Sequence, residues 1–334
     1  MSKKRIGIIG ATGYTGHELI KILRNHPQVE IVYATTTTQA GRNINNLYPD
    51  LKYLSLVLEE YDLKKIKKTK LDLVFLAVHH GKAMGFVPEL LDLGIQVVDL
   101  SADFRFSDVK VYEKIYGKHA FPKYCKTAVY GLPEFYRNKI KKAKLLSNPG
   151  CYVTSSLLAL LPVIEHAENI VVDAKSGVSG AGKKVEEPYL FGNIHNNFKA
   201  YAIAKHRHQP EIESYLKKNI EFVPHLLPIN RGILCTVYFN SAKSYEFLRK
   251  RLTEAYSKEP YVKVLSEQDP AINMVTGTNN CFVNIYKGSK PKSFIIVSVL
   301  DNLIKGASGQ AVQNMNLMLG LEEQSGLDLA PAYP

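Results

Sequence analysis

The stretch Gly7-Ile8-Ile9-Gly10-Ala11-Thr12-Gly13-Tyr14-Thr15-Gly16 decides the fold of the first half of this chain. It follows a β-rich apolar run and precedes residues 14–25, whose apolar spacing is helical. Glycines between a strand and a helix let backbone N–H groups bind a pyrophosphate at the helix N-terminus. The pattern is GxxGxxG rather than strict GxGxxG, and a tight turn without a ligand is the alternative. The strand–turn–helix context favours a dinucleotide-binding loop.

The segments around this loop alternate between strand and helix patterns. The strand-like runs are RIGIIG, VEIVYAT, LDLVFLAV and IQVVDLS, with helical spacing between them. Such alternation predicts βαβ units and a parallel sheet. After Asn148-Pro149-Gly150, one helical run is followed by the longer strand-like segments NIVVDAKSG, GILCTVYFN, CFVNIY and SFIIVSVLDN. These predict an α+β domain with a large mixed sheet.

The chain is therefore expected to be α/β, with two domains. The first is a Rossmann-type parallel-sheet domain over residues 1–150, which a C-terminal helix within 307–334 joins. The second covers residues 151–306. The length of 334 residues and the 46% apolar content fit two globular domains.

Composition narrows the function classes. No segment has the roughly 20 unbroken apolar residues that span a bilayer, and the basic start lacks a small-residue cleavage site, so we expect a cytoplasmic protein. The four cysteines form no CxxC pair and no zinc-ligand spacing, so neither disulfides nor a metal site is indicated. The net charge of +12 comes partly from lysine runs without interleaved aromatic residues, which favours a solvated face over nucleic-acid binding.

The end of the second predicted strand indicates the type of dinucleotide. An NAD enzyme usually has Asp or Glu about 20 residues after the glycine loop, to bind the ribose 2′-hydroxyl. Here that segment reads Thr35-Thr36-Thr37-Thr38, and Arg42 follows. Hydroxyls and an arginine suit a 2′-phosphate, so we predict NADP(H), with Thr36 and Arg42 as ligands. A surface role is the alternative for Arg42.

Cys151 is the candidate nucleophile. It follows Ser147-Asn148-Pro149-Gly150 and precedes an apolar helical run, so it is expected at a helix N-terminus. That position stabilises a thiolate and offers amides to an oxyanion. A buried structural cysteine is the alternative, and it is the preferred interpretation of Cys125, Cys235 and Cys281.

The segment Lys205-His206-Arg207-His208-Gln209-Pro210-Glu211 holds the densest imidazole cluster. Pro210 suits the first turn of a helix, which would place His208 just before that helix. We predict that His208 is the acid/base group and that Glu211 orients it, with His206 as the alternative acid/base. His79 and His80 follow a predicted strand, where a βα loop would reach the cofactor. Surface histidines remain the alternative there.

Taken together, seven motifs resemble N-acetyl-γ-glutamyl-phosphate reductases of arginine biosynthesis: GATGYTG, VDLSADFR, YGLPE, SNPGCYVT, SGVSGAG, KHRHQPEI and KGASGQAVQNMN. They occur in order over nearly the whole chain. SNPGCYVT and HRHQPEI distinguish this family within the aspartate-semialdehyde dehydrogenase-like group, whereas the glycine loop is widespread. The segment TTTTQAGR departs from the family pattern of Ser or Thr followed closely by Arg or Lys.

The resemblance implies an NADPH-dependent reduction of N-acetyl-γ-glutamyl phosphate to N-acetylglutamate semialdehyde, with phosphate release through a thioester on Cys151. It also implies that the second domain is catalytic and forms a homodimer or homotetramer. Cys151, His208 and Glu211 match the family's catalytic residues. Arg105 is similar in placement to an arginine that holds phosphate in aspartate-semialdehyde dehydrogenases, and a structural ion pair with Asp99 or Asp103 is its alternative.

The resemblance places two further segments, 176–182 and 305–314, at the cofactor. The full set expected to bind the cofactor is Gly10, Thr12, Gly13, Tyr14, Thr15, Gly16, Thr36, Arg42, His79, Ser179, Gly180 and Asn314. The set expected to bind the substrate is Arg105, Asn148, His206 and Arg207. Two rival hypotheses remain: a reductase of aspartyl phosphate or of a carrier-bound glutamyl or aminoadipyl phosphate, and an NADP-binding redox sensor.

Overall fold

A computed structural model describes residues 2–183, 187 and 190–331. Residues 1–149 and 307–328 form one compact unit, and residues 150–306 with 329–334 belong to a second. Both predicted sheets are present, so the predicted α/β class is confirmed. No helix among the described residues has the length and apolar character needed to cross a membrane.

The first unit contains a six-stranded parallel sheet in the order β2-β1-β3-β4-β6-β5. Its strands are β1 (Lys4–Ile9), β2 (Val29–Thr35), β3 (Leu73–Leu76), β4 (Gln96–Asp99), β5 (Val129–Tyr130) and β6 (Leu145–Ser147). Its helices are α1 (Tyr14–Leu23), α2 (Ile44–Leu47), α3 (Leu63–Thr69), α4 (Ala83–Asp92), α5 (Val109–Tyr116), α6 (Pro133–Ile140) and, late in the chain, α11 (Gly309–Met318). The central strands β3 and β4 are almost wholly buried, as expected where helices cover both faces of a parallel sheet.

The C-terminal helix lies within the predicted segment 307–334. It runs from Gly309 to Met318, and Gly320 follows with φ of +67°. A glycine in the left-handed region just beyond the last turn ends a helix, because it turns the chain away from the axis at little cost. Residues 319–331 continue without helix, and residues 332–334 of the predicted span lie outside the described part.

The second unit is built on a seven-stranded mixed sheet in the order β11-β12-β13-β10-β7-β9-β8. Its strands are β7 (Glu168–Gly177), β8 (Lys199–Ala200), β9 (Glu221–Leu227), β10 (Ile233–Asn240), β11 (Val262–Val264), β12 (Cys281–Lys287) and β13 (Ser293–Leu300). Its helices are α7 (Cys151–Leu160), α8 (Phe191–Ile194), α9 (His208–Leu216) and α10 (Tyr245–Tyr256). A π-helical turn covers Ile304–Ser308.

Helix α7 packs on one face of the mixed sheet. Its residues 152–160 are all buried, including three consecutive hydroxyl residues, Thr154, Ser155 and Ser156. The Ser155 hydroxyl lies 2.7 Å from that of Ser298 on β13, and the Ser156 hydroxyl bonds back to a backbone carbonyl of its own helix. Because these buried polar groups have partners, the hydrogen bonds offset the cost of their desolvation and fix the start of α7 on the sheet.

Candidate active site

The glycine loop joins β1 to α1, and two of its glycines are required by close packing. Gly10 has φ of +91°, and a Cβ there would lie 2.3 Å from the Ala77 carbonyl oxygen. A Cβ on Gly16 would lie 2.3 Å from the Gly10 carbonyl oxygen. Gly13 is the N-cap of α1, and as a glycine it makes no side-chain cap bond to the first-turn amides of this ten-residue helix. The loop therefore leaves a helix N-terminus open to a pyrophosphate, which fits a dinucleotide.

Hydrogen bonds from neighbouring segments hold this loop within the first unit. The Tyr48 hydroxyl donates to the Thr12 carbonyl oxygen at 2.8 Å, and the Ser308 hydroxyl donates to the Thr15 carbonyl oxygen at 2.9 Å. The hydroxyls of Thr12 and Thr36 lie 3.2 Å apart. Loop shape therefore depends on residues far away in the sequence, because both ends of the unit contribute to it.

The different surroundings of Gly13 and Gly16 give a matched pair of variants. Gly16→Ala is expected to lower Tm by about 5 °C or more and NADPH affinity by at least about tenfold, because its Cβ collides with backbone. Gly13→Ala should fold with unchanged Tm, since its Cβ would lie 3.7 Å from the Gly10 carbonyl oxygen, an ordinary van der Waals contact. Calorimetry and NADPH titration measure both quantities. Equal Tm for Gly16→Ala and the parent would contradict this description of the loop.

The two residues predicted to select the cofactor differ in exposure. Thr36 is buried, and its hydroxyl also accepts a bond from the Thr38 amide at 3.3 Å. Arg42 is exposed, while its backbone carbonyl accepts from the Leu58 amide at 2.8 Å. Thr36 thus shapes the end of β2, and the charged side chain of Arg42 faces solvent.

Cys151 is the first residue of α7, with Gly150 as N-cap. It is partly exposed, whereas Cys125, Cys235 and Cys281 are buried. Burial raises the pKa of the Cys125 and Cys235 thiols to about 11. Since the thiolate is the reactive form, Cys151 is the cysteine whose position suits nucleophilic chemistry.

The start of α9 packs against the start of α7. The Gly150 amide donates to the Glu211 carboxylate at 3.1 Å, and a Cβ on Gly150 would lie 2.6 Å from Nε2 of His208. Glu211 is fully buried and lies one turn after His208 on the same helix. His208 and Glu211 therefore both contact Gly150, the residue that precedes Cys151.

His208 is the first residue of α9, not the residue before it as the sequence predicts, and Arg207 is the N-cap. Pro210 occupies the third helical position. The first-turn amides of a helix have no intrahelical acceptor, so a proline is tolerated there as well as at the first position. Arg207 is exposed, and His206 lies one residue before the cap.

The loop after β13 makes two contacts that the sequence does not reveal, although Gly306 lies in the segment expected at the cofactor. A Cβ on Gly306 would lie 2.8 Å from Cβ of Cys151, so this glycine allows the π turn to pass close to the nucleophile. Asp301 is fully buried, accepts from the Gly277 amide at 2.7 Å and the Leu303 amide at 2.8 Å, and thereby shapes the same loop. The only sequence signal was the glycine in KGASG, which does not reveal its neighbour.

The predicted cofactor segment around Ser179 forms a 3₁₀ turn within the second unit. The Asn302 amide donates to the Ser179 hydroxyl at 2.9 Å and accepts from the Gly232 amide at 2.8 Å. A Cβ on Gly180 would lie 2.9 Å from the Ser176 hydroxyl. Tight packing therefore accounts for the glycine here, and cofactor contact by Ser179 and Gly180 stays a prediction.

Two family models match the chain: the NAD binding domain of semialdehyde dehydrogenases over residues 5–143, and the semialdehyde dehydrogenase dimerisation domain over residues 151–302. The N-acetyl-gamma-glutamyl-phosphate reductase of Desulfotalea psychrophila is 44% identical, covering 99% of both chains. That of Methanocaldococcus jannaschii is 42% identical over 97% of this chain and 98% of its own. The chain belongs to the semialdehyde dehydrogenase family.

Solved structures of this family have the same fold at low identity. Aspartate semialdehyde dehydrogenase II from Vibrio cholerae aligns with a TM-score of 0.74 at 15% identity, over 96% of this chain and 99% of that one. The Candida albicans aspartate semialdehyde dehydrogenase with NADP aligns with a TM-score of 0.69 at 17% identity, over 95% and 99%. These matches show the semialdehyde dehydrogenase fold.

Arg105 and Asn148 make structural contacts within the first unit. Arg105 is buried, and its Nε donates to the Asn148 carbonyl oxygen at 2.8 Å while Nη2 donates to that of Leu100 at 2.9 Å. The Asn148 amide donates to the Ala307 carbonyl oxygen at 3.0 Å and accepts from Asn314 at 3.1 Å. Arg105 thus braces the chain just before Pro149, and phosphate binding by it stays a prediction.

The two adjacent histidines of the βα loop after β3 have different surroundings. His79 is exposed. The ring Nδ1 of His80 accepts from the Ala102 amide at 2.9 Å, and the Asp103 carboxylate accepts from the Gly81 amide at 2.6 Å. His80 therefore has a structural contact, while His79 keeps the accessibility that a cofactor contact requires.

Proposed function

We propose that this protein reduces N-acetyl-γ-glutamyl phosphate to N-acetylglutamate semialdehyde with NADPH and releases phosphate, a step of arginine biosynthesis. The observation that carries the proposal is the placement of a partly exposed Cys151 at the N-terminus of α7, with Gly150 in contact with His208 and Glu211. Relatives that match over essentially the full length carry the corresponding reductase name. The geometry supports the type of reaction, and the names of the relatives support the substrate.

The first step is acyl transfer to sulfur. The Cys151 thiolate attacks the γ-carbonyl carbon, the C–O bond to phosphate breaks, and phosphate leaves with the bonding pair. The first-turn amides of α7 are the proposed donors to the developing oxyanion, because the helix dipole favours negative charge at this end. Glu211 accepts from the Gly150 amide, so this carboxylate is a positioning residue that holds the turn before Cys151.

The second step reduces the thioester. NADPH supplies the hydride that this step requires. His208 donates a proton to the oxygen of the thiohemiacetal, then removes it as the C–S bond breaks and the aldehyde departs. The Cys151 thiolate is regenerated. Gly306 leaves room beside Cys151 for these changes, because any larger residue would press on its Cβ.

Binding of NADPH is assigned to the glycine loop, with the first-turn amides of α1 at the pyrophosphate and Arg42 at the 2′-phosphate. The open N-cap at Gly13 and the exposed guanidinium of Arg42 support this assignment. Thr12, Tyr14, Thr15, His79 and Asn314 are proposed as further cofactor contacts, and Arg207 and Asn148 as substrate contacts.

A homodimer formed through the second unit is also part of the proposal. The sheet face that packs on α7 carries buried residues such as Cys235, Val237 and Ile296. Alternate residues point to the other face, and these include Leu234, Ile295 and Tyr238, of which Tyr238 is 42% exposed. The same face also carries the charged side chains of Asp173 and Lys175, which pair at 2.6 Å. The match to a dimerisation domain supports a second copy of the chain against this face, and sedimentation velocity at micromolar concentration tests this.

The function is tested by running the reaction backward. We expect NADP reduction with N-acetylglutamate semialdehyde that depends on added phosphate. A preference for aspartate semialdehyde would replace the proposed substrate by aspartyl phosphate. Absence of reduction with either aldehyde, in protein that binds NADPH, would contradict the proposed activity and favour a carrier-bound substrate or a sensor.

A further inference from the structure

His206 lies inside an aromatic cluster next to the start of α9. Its ring centroid is 4.8 Å from that of His208, 5.4 Å from Phe222, 5.5 Å from Tyr201 and 5.7 Å from Tyr152. Three of these contacts are edge-to-face. Such contacts on several sides fix the plane of the imidazole.

The hydrogen bonds of His206 determine which nitrogen carries its proton. The His208 backbone amide donates to Nδ1 of His206 at 3.1 Å. A backbone N–H cannot accept, so Nδ1 is the unprotonated nitrogen. Nε2 therefore carries the hydrogen in the neutral ring, and it lies 3.4 Å from the Tyr201 hydroxyl.

The surroundings of His206 keep it neutral. Burial, with a smaller contribution from the neighbouring Arg207 charge, lowers the pKa of His206 to about 4. Among the described residues, the ionisable groups that contact the ring or act on its pKa are Tyr152, Tyr201, Arg207 and His208. At neutral pH a group with so low a pKa does not donate a proton to an oxyanion.

We propose that His206 is a positioning residue: its Nδ1 accepts the His208 amide, fixes the start of α9 and so holds the His208 imidazole against Gly150. The contact works like an N-cap, in which a side-chain acceptor satisfies one of the first helical amides. The N-cap residue of α9, Arg207, makes no side-chain cap bond of its own. The inference rests on the proposed function and assigns the acid/base role to His208.

Two variants separate positioning from acid/base catalysis. His206→Asn keeps a side-chain acceptor that reaches the amide two residues on, and its kcat is expected within about threefold of the parent. His206→Phe keeps an aromatic ring without the acceptor, and its kcat is expected to fall about 10- to 100-fold with little change in KM, because a small displacement of a catalytic group has such an effect. Both should keep the pH–rate inflections of the parent.

A loss of activity in His206→Asn as large as that in His208→Asn would overturn the proposal, as would full kcat in His206→Phe. Nitrogen-15 NMR of histidine-labelled wild-type protein is the second readout, and it needs no substrate. We expect His206 to stay neutral with its proton on Nε2 from about pH 6 to 9, whereas titration in that range would refute the assignment. Failure of the proposed function instead shows as no phosphate-dependent turnover by wild-type protein with this NMR result unchanged.

Discussion

Replacement of Cys151 by serine is expected to lower kcat for phosphate-dependent turnover by at least about 10³-fold, with NADPH affinity unchanged. A serine hydroxyl is a much poorer nucleophile at neutral pH than a thiolate at a helix N-terminus, and a thioester cannot form. The serine side chain is similar in size, so the contact between Cβ of residue 151 and Gly306 is kept. Steady-state kinetics and NADPH titration measure the two quantities.

Cys125→Ser is the matched control. Cys125 lies in the other unit, where it is buried 3.5 Å from Nε2 of His119, and burial raises the pKa of its thiol to about 11. Its kcat should stay within about threefold of the parent. More than about a tenth of parental activity in Cys151→Ser would remove the thioester from the mechanism.

Replacement of His208 by glutamine is expected to lower kcat by about 10²- to 10⁴-fold, the usual contribution of a positioned acid/base group. Glutamine keeps a polar side chain against Gly150 but cannot transfer a proton near neutral pH. KM for the aldehyde should change little, because the missing interaction belongs to the transition state.

His166→Gln is the control for this substitution. His166 ends a short 3₁₀ turn beyond the C-terminal end of α7, whereas Cys151 begins that ten-residue helix. About 15 Å of helix separates the two ends, so kcat should not change. Wild-type kcat in His208→Gln would transfer the acid/base role to another group.

The sequence predicted the strands and helices whose apolar residues have a clear periodicity. The strand and helix flanking the glycine loop were visible because alternating apolar runs and glycines obey short-range rules. The helix beginning at Cys151 was visible for the same reason, since Gly150 precedes a long apolar run. The apolar spacing of the last helix also ends at Leu319, one residue after α11 ends at Met318.

The missed site contacts are ones that sequence separation hides. Gly306 is required by Cys151, which lies 155 positions earlier in the chain, and Asp301 accepts from Gly277 across a loop. Arg105 was predicted to bind phosphate because of its motif, and the motif does not reveal that its Nε and Nη2 also donate to backbone carbonyls. Which of His206 and His208 faces Gly150 also required coordinates, because both lie in one short motif.

The most direct test of the thioester mechanism is capture of the acyl group on the Cys151 sulfur. Wild-type protein is mixed with N-acetylglutamate semialdehyde and NADP without phosphate, quenched in acid and analysed by peptide mass spectrometry. We predict one N-acetylglutamyl group per chain on the peptide that contains Cys151, and its loss when phosphate is added before the quench. Turnover with no adduct on Cys151, or an adduct on another residue, would contradict a thioester intermediate on Cys151.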